Sequence, residues 1–335
     1  MSRCTAAVRR GPQRGAALLT AMIIVALVAT LAGSMVWQQW RAIQVEAAER
    51  ARTQSAWILS GALDWARLIL REDAKNGTVD HLGEPWAVPL AEARLSTFLA
   101  ADRDNTDDAP DAFLSGVITD AMARYNLTNL LNPTTGDIDT TELAALGRLC
   151  TTVGVSEDVA SRIARAIRDA APPLAPTAGA SAPSFTPPAD PPLMPQSASQ
   201  LSWLGIDAES LRALDPYIVL IPDTLRFPTH VNVNTASREV LVAVVDQLDL
   251  ATAERIIQSR QRVPLKSVAD LTALAPGVPP ANLSRLAFGS NYFQVRGRLR
   301  LGDVVLEQRS LVKRNGPTVV VLQRERVSSR EQAGS

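Results

Sequence analysis

The chain is poor in the residues that usually carry chemistry. Only two of its 335 residues are cysteine and two are histidine. Cys4 and Cys150 lie far apart; removal of the first residues would leave Cys150 alone, with no intramolecular disulfide and no thiolate zinc site. His81 and His230 fall in no metal-ligand spacing. There is no G-x-S-x-G, no H-E-x-x-H, no phosphate-binding G-x-x-x-x-G-K-[ST] and no G-x-G-x-x-G. Net charge is also missing: 34 Lys and Arg balance 34 Asp and Glu, so bulk electrostatics select neither nucleic acid nor an acidic substrate. The expectation is a protein that is not an enzyme.

The neutral total hides an asymmetry. Arg3, Arg9, Arg10 and Arg14 crowd the start, and from Gly15 to Trp40 no charged residue occurs. That run exceeds the apolar core of about 7–15 residues in a cleaved secretory signal. It reaches the roughly 20 residues that a spanning helix needs. The positive flank predicts a cytoplasmic N-terminus with everything after Trp40 on the far side. Trp37 and Trp40 stand where aromatic belts meet water.

Strong helix formers continue from Arg41 to about Lys75, and Asn76-Gly77 offers a C-terminal stop. One helix from Ala17 to Lys75 would extend roughly 85–90 Å. Within it Trp57, Gly61, Trp65 and Leu68 form an apolar stripe, expected to be the seam between the helix and a soluble head. The acidic stretch Asp102–Asp111 is oxygen-rich enough to hold calcium but lacks the glycine and terminal glutamate of an EF-hand loop. A Pro/Ala/Ser-rich stretch between Ala170 and Pro195 reads as a linker. Beyond it, Tyr292–Arg296, Val304–Glu307, Leu311-Val312 and Val319–Leu322 alternate as strands, with Gly302-Asp303 and Asn315-Gly316 as turns and Arg324–Ser335 as a polar tail.

Two stretches repeat one plan. Tyr125–Leu130 leads to Glu142-Leu143 and Ala160–Ile163, and Val231–Ala236 leads to Glu239–Leu241 and Ala253–Ile257. Asn126, Asn129, Asn232 and Asn234 suit structural caps, accepting from orphan backbone N–H groups at helix starts. The plan resembles the helix-hairpin-helix module, whose hairpin offers backbone N–H groups to a nucleic-acid phosphate. Here the hairpins fall at Gly154-Val155-Ser156, Gln247-Leu248-Asp249 and Gly277-Val278-Pro279. Asp249 would repel a phosphate, Pro279 has no N–H, and Glu157-Asp158 follow the first hairpin. The module is expected to serve as scaffold, with no nucleic acid as partner. A membrane-anchored DNA-uptake receptor is the alternative, and a tethered enzyme using Asp102–Asp111 lacks a nucleophile and a base.

The basic leader ending at Gly15 directly before the apolar run resembles a class III, prepilin-type signal. The motifs Arg14–Thr20, Tyr125–Leu130, Pro216-Tyr217 to Pro222, Val231–Ala236 and Ser290–Phe293, in that order, are similar to minor pseudopilins of the K type in type II secretion. The resemblance implies cleavage after Gly15, N-methylation of Ala16 and retention of the helix in the bacterial inner membrane, with a periplasmic C-terminal domain. It implies an α+β fold: a long N-terminal transmembrane helix, a pilin-like α/β head, a large helical insertion and a C-terminal antiparallel sheet. The expected divisions are leader 1–15, transmembrane helix 16–40, the rest of the helix and start of the head 41–100, insertion 101–284 with a linker at about 171–200, and strands plus tail 285–335. Implied partners are the I, J and H minor pseudopilins, the major pseudopilin, the prepilin peptidase and the inner membrane. Leu18, Ala26, Ala29 and Gly33 would pack against partner helices, where small residues permit close approach.

Most pilin-like chains carry a glutamate at the fifth mature position, to pair with a neighbour's amine. Counting from Ala16, that position is Thr20, which marks a subunit with nothing stacked above it, at the tip of a pseudopilus. Relatives carry an Asp-rich segment after the first repeat; here Arg165–Ala170 stands in its place. No metal residues and no cofactor are therefore carried over.

Overall fold

The computed structural model describes residues 14–75, 77–95, 112–172, 188–225, 227–301 and 304–330. Leader residues 1–13, the whole acidic stretch Asp102–Asp111, most of the linker and the expected Gly302-Asp303 turn lie outside them. Contact density divides the chain into two units, Met1–Ile58 and Leu59–Ser335.

Helix α1 (Arg14–Asp73) runs 60 residues without a break, and no proline occurs between Pro12 and Pro85 to interrupt it. In its first unit every described side chain from Ala16 to Gln54 is exposed. The hydroxyls there are satisfied within the helix: Thr20 donates to the carbonyls of Ala16 and Ala17 at 3.0 Å, Thr30 to that of Leu27 at 2.9 Å and Ser34 to that of Leu31 at 2.8 Å. Such back-bonding lets hydroxyl residues sit in lipid without an outside partner.

In the second unit a five-stranded antiparallel sheet has the order β1 (Leu90–Arg94), β2 (Ala112–Asp120), β7 (Tyr292–Leu301), β8 (Val304–Asn315), β9 (Thr318–Arg330). Leu63, Ala66 and Leu70 of α1 pack on one face with Trp86, Ile118, Phe293, Val295, Val312 and Val319. Trp86 meets Phe293 edge-on at 5.2 Å. Burial of each such leucine contributes about 1.5–3 kcal/mol. Arg67 fixes the seam by donating to the Val319 carbonyl at 3.0 and 2.7 Å.

This seam corrects one expectation. Leu59, Leu63, Ala66 and Leu70 are the buried set, while Trp57 and Trp65 are 74 % and 51 % exposed and Gly61 and Leu68 are also exposed. Two residues along a helix amount to about 200° of rotation, so the tryptophan stripe lies opposite the seam. The sheet brings further corrections. Residues 112–120, expected in the insertion, form a central strand paired along its length with β7. Strand β8 is one strand where two runs were expected, and β9 continues to Arg330 through what was expected to be tail.

The helical region between β2 and β7 holds the larger core. Its first repeat opens with β3 (Tyr125–Asn126), followed by α2 (Thr140–Thr152) and α3 (Asp158–Ala170). Helix α4 (Ala208–Leu214) and β4 (Ile218–Val219) follow, β4 pairing in parallel with β3. The second repeat has β5 (Val231–Asn232), α5 (Arg238–Val244) and α6 (Leu250–Arg262). After it come α7 (Val268–Leu274), α8 (Pro280–Leu283) and β6 (Leu286–Ala287), β6 pairing in parallel with β5. Leu146, Leu149, Ile163, Ile167, Leu241 and Val244 belong to the shared core.

The two hairpins turn alike. Gly154 has φ 77° between α2 and α3, and Gln247 has φ 64° between α5 and α6, the described chain's one non-glycine residue at positive φ. A side chain in this left-handed region costs about 1–2 kcal/mol. Gln247→Gly is therefore expected to stabilise the folded chain by about 1 kcal/mol. The check is urea unfolding of the detergent-solubilised protein, where an unchanged or lower midpoint would refute the assignment of strain.

Candidate functional site

The sequence motifs meet at one buried polar junction, where the end of the α1 connection, the sheet and the second repeat join. Asn232 closes the short strand β5 and is fully buried. Its amide nitrogen donates to the Asp80 carbonyl at 3.0 Å, to Asp120 Oδ2 at 2.9 Å and to Ser290 Oγ at 3.0 Å. Its Oδ1 accepts from the Asn234 N–H at 3.0 Å. Asp120, at the end of β2, makes no ion pair among the described residues. It accepts from Ser290 Oγ at 2.5 Å, Thr235 Oγ1 at 2.6 Å and the Met122 N–H at 2.7 Å, besides Asn232. Burial raises its pKa, and these donors oppose the rise by favouring the charged form.

Arg314 of β8 supplies the positive charge nearby. It donates to both Asp80 oxygens at 2.5 and 2.7 Å, to Asp73 Oδ2 at 2.6 Å and to the Ser290 carbonyl at 2.8 Å. Its guanidinium also lies 4.7 Å from the centre of the Phe293 ring. The Ser290 N–H returns a bond to Asp80 Oδ2 at 2.6 Å, and the Asp80 N–H bonds the Phe288 carbonyl at 3.0 Å. Gly289 is what lets these two segments approach: a Cβ there would stand 2.1 Å from the Thr78 carbonyl oxygen.

The four asparagines are all buried; Asn126 is a cap as expected, whereas Asn129, Asn232 and Asn234 cap none of the described helices. Asn126 caps a short 3-10 turn by accepting from the Thr128 N–H, but it also donates to Thr224 and Thr229. Asn129 pairs with both backbone groups of Thr229, at 2.8 and 3.0 Å. Asn234 does the same for Leu265 at 2.9 Å and adds the Phe288 carbonyl. Helices α2, α5 and α6 are capped instead by Asp139, Ser237 and Asp249. An amide that donates and accepts at once can tie distant segments, which a cap of one helix does not require.

Three residues of the junction carried too little signal to be singled out from the sequence: Asp80, Asp120 and Arg314. Each is a charged residue whose burial is set by partners far along the chain. The sequence candidates Gly15, Ala16, Leu18, Thr20, Ala26, Ala29 and Gly33 all lie on α1, in the other unit. A Cβ at Gly33 would meet nothing within 4 Å. The hairpin turns are filled by the chain's own groups: Asp249 accepts from the Thr252 N–H at 2.6 Å, and Pro279 precedes α8.

Residues 123–223 and 231–290 each match a family described as type II secretion system protein K. The type II secretion system protein K of Pseudomonas aeruginosa is 29 % identical over 311 residues, covering 88 % of this chain and 86 % of that protein. The Klebsiella pneumoniae protein of the same name is 30 % identical over 335 residues, covering 93 % of this chain and 96 % of its own. The chain belongs to the type II secretion system protein K family. Its role is that of a minor pseudopilin in type II secretion, a structural component anchored to a membrane by the apolar part of α1. The fold resembles a chain in the crystal structure of the GspK-GspI-GspJ complex from enterotoxigenic Escherichia coli, with TM-score 0.63 and 22 % identity, over 84 % of this chain and 99 % of that one. The DNA-binding alternative finds no support in these relationships.

The family matches coincide with the junction. The region 231–290 begins at the strand that carries Asn232 and ends at Ser290. Removing the Asn232 amide strips a donor from Asp120, Asp80 and Ser290 together. Each buried group left unsatisfied costs about 1–3 kcal/mol. Asn232→Ala is thus expected to destabilise by roughly 3 kcal/mol or more, and Asn282→Ala, a half-buried asparagine whose bond to the Asp246 carbonyl is open to solvent, by less than about 1 kcal/mol. Equal losses in the two variants, measured by denaturant unfolding, would contradict the assigned role of the junction.

Proposed function

We propose that this chain stands at the tip of a periplasmic pseudopilus and initiates its assembly for export of folded proteins across the outer membrane. The carrying observation is the joining of a prepilin-like start, four arginines and Gly15 ahead of an uncharged helix, to family membership over nearly the whole chain. In this reading the prepilin peptidase cuts after Gly15 on the cytoplasmic side, and Ala16 becomes the methylated N-terminus. The helix remains in the bacterial inner membrane and the head lies in the periplasm, as the positive flank directs. The reading requires neither catalysis nor a cofactor.

The related chain was solved in a complex with GspI and GspJ, and the I and J minor pseudopilins are proposed as partners here, with the H type and the major pseudopilin below them. Two features support assembly through α1. Leu18, Ala26, Ala29 and Gly33 lie on an apolar, exposed stretch where helices can approach. Along the head, Trp65 and Leu68 are exposed beside Gly61, an apolar face on an otherwise charged helix. Thr20 satisfies its own hydroxyl within the helix and offers no carboxylate to an amine above it.

Because Trp65 is exposed, Trp65→Glu should leave unfolding within about 0.5 kcal/mol of the parent. It should lower co-purification with the I and J pseudopilins at least tenfold. Undiminished co-purification would remove Trp65 from the interface. Thr20→Glu tests position at the tip: initiation should be disturbed, and pseudopili assembled and secreting at the parent's level would contradict that reading.

A further inference from the structure

The junction carries one imbalance of charge. Asp73 in the last turn of α1 and Asp80 and Glu84 in the following loop bring carboxylate oxygens within 4.8 Å of one another. Among the described residues Arg314 is the one guanidinium bonded among them, to Asp73 at 2.6 Å and to Asp80 at 2.5 and 2.7 Å. Glu84 is held by neutral donors, the His81 N–H at 2.9 Å and Trp86 Nε1 at 2.6 Å, so its charge adds to the excess. His81 Nε2 stands 3.9 Å from its other oxygen. Three carboxylates thus share one fixed cation in a site where Asp80 and Arg314 are almost fully buried.

We propose that this cluster is an acid-tightened clasp, which holds the last turn of α1 and the 78–84 loop to the head more firmly in mildly acidic than in neutral surroundings. A proton on one carboxylate reduces the repulsion among the three to that of the remaining pair and leaves the Arg314 bonds to the other partners in place. Asp73 is the group placed to take it. It is only partly buried, and it faces Glu84 and Asp80 from the loop and Arg314 from β8, while its neighbour on the helix, Glu72, is engaged with Lys75 at 2.6 Å. Burial, then the charge of Glu84, raise its pKa to about 6 against the Arg314 contact. The folded form therefore holds a proton that the unfolded chain releases near 3.8, so the stabilisation is full at low pH, declines from about pH 4 to pH 6, and is absent above.

The test is backbone hydrogen exchange of the full-length, detergent-solubilised chain at pH 5 and pH 7, corrected for the intrinsic rate. The reporting amides are Asp80, bonded to the Phe288 carbonyl, and Ser290, bonded to Asp80. Protection is expected to rise about threefold to tenfold from pH 7 to pH 5. In Asp73→Asn it should be high at both and independent of pH. Glu84→Gln removes a charge of the same excess without touching Arg314, and it should raise protection at pH 7, which keeps the test open if Asp73→Asn does not fold. Flat protection in the parent would overturn the clasp. So would parent-like pH dependence in Asp73→Asn, or its loss in His81→Gln alone, which would assign the proton to the imidazole.

Discussion

A single amide holds the architecture together. Asn232 reaches a carbonyl of the loop after α1, a carboxylate at the end of β2 and a hydroxyl at the start of β7. Those partners come from positions 80, 120 and 290, so one side chain closes three long excursions of the chain at one point. A hydrophobic contact cannot do this with the same specificity, because it accepts any neighbour of suitable size. A buried amide accepts only the set that satisfies both its donors and its acceptor. The helical region is inserted between two strands that are themselves partners, β2 and β7. Its position on the head is thus fixed where the chain leaves and re-enters the sheet.

Much of this was legible in the sequence, for identifiable reasons. The uninterrupted α1 follows from the lack of proline and the run of good helix formers. The C-terminal strands follow from alternation and from Asn315-Gly316, where Gly316 has φ 55°. The asparagines were visible as unusual, but their roles were not. A helix cap is a local event readable over three residues, whereas Asn129 and Thr229 lie a hundred positions apart. Strand β2 was hidden because its partner β7 lies far along the chain and its Gly116 breaks the apolar alternation. On α1 two sets of apolar residues share the helical period. The bulkier set, with Trp57 and Trp65, is exposed, and the leucine set is buried, since the leucines fit over Gly297 and beside Phe293.

That reversal matters for function. A soluble monomer would gain by burying its tryptophans, and this chain buries Trp86 while leaving Trp57 and Trp65 in the open. In the proposed assembly this exposed apolar surface is the face that partners would cover. The same logic runs through the membrane half of α1, whose hydroxyls are already satisfied and whose face carries small residues. Contacts within the chain fix the head, the helical region and one face of the last part of α1, and the proposed assembly would use the exposed remainder of that helix.

The central claim is that α1 is the retained anchor of a processed pseudopilin, and its most direct test is the intact mass and N-terminal residue of the membrane-extracted protein, made with and without a prepilin peptidase. The account predicts a chain that begins at N-methylated Ala16 only when the peptidase is present. A chain still beginning at Met1 beside an active peptidase, or one cut after the apolar run, would contradict it.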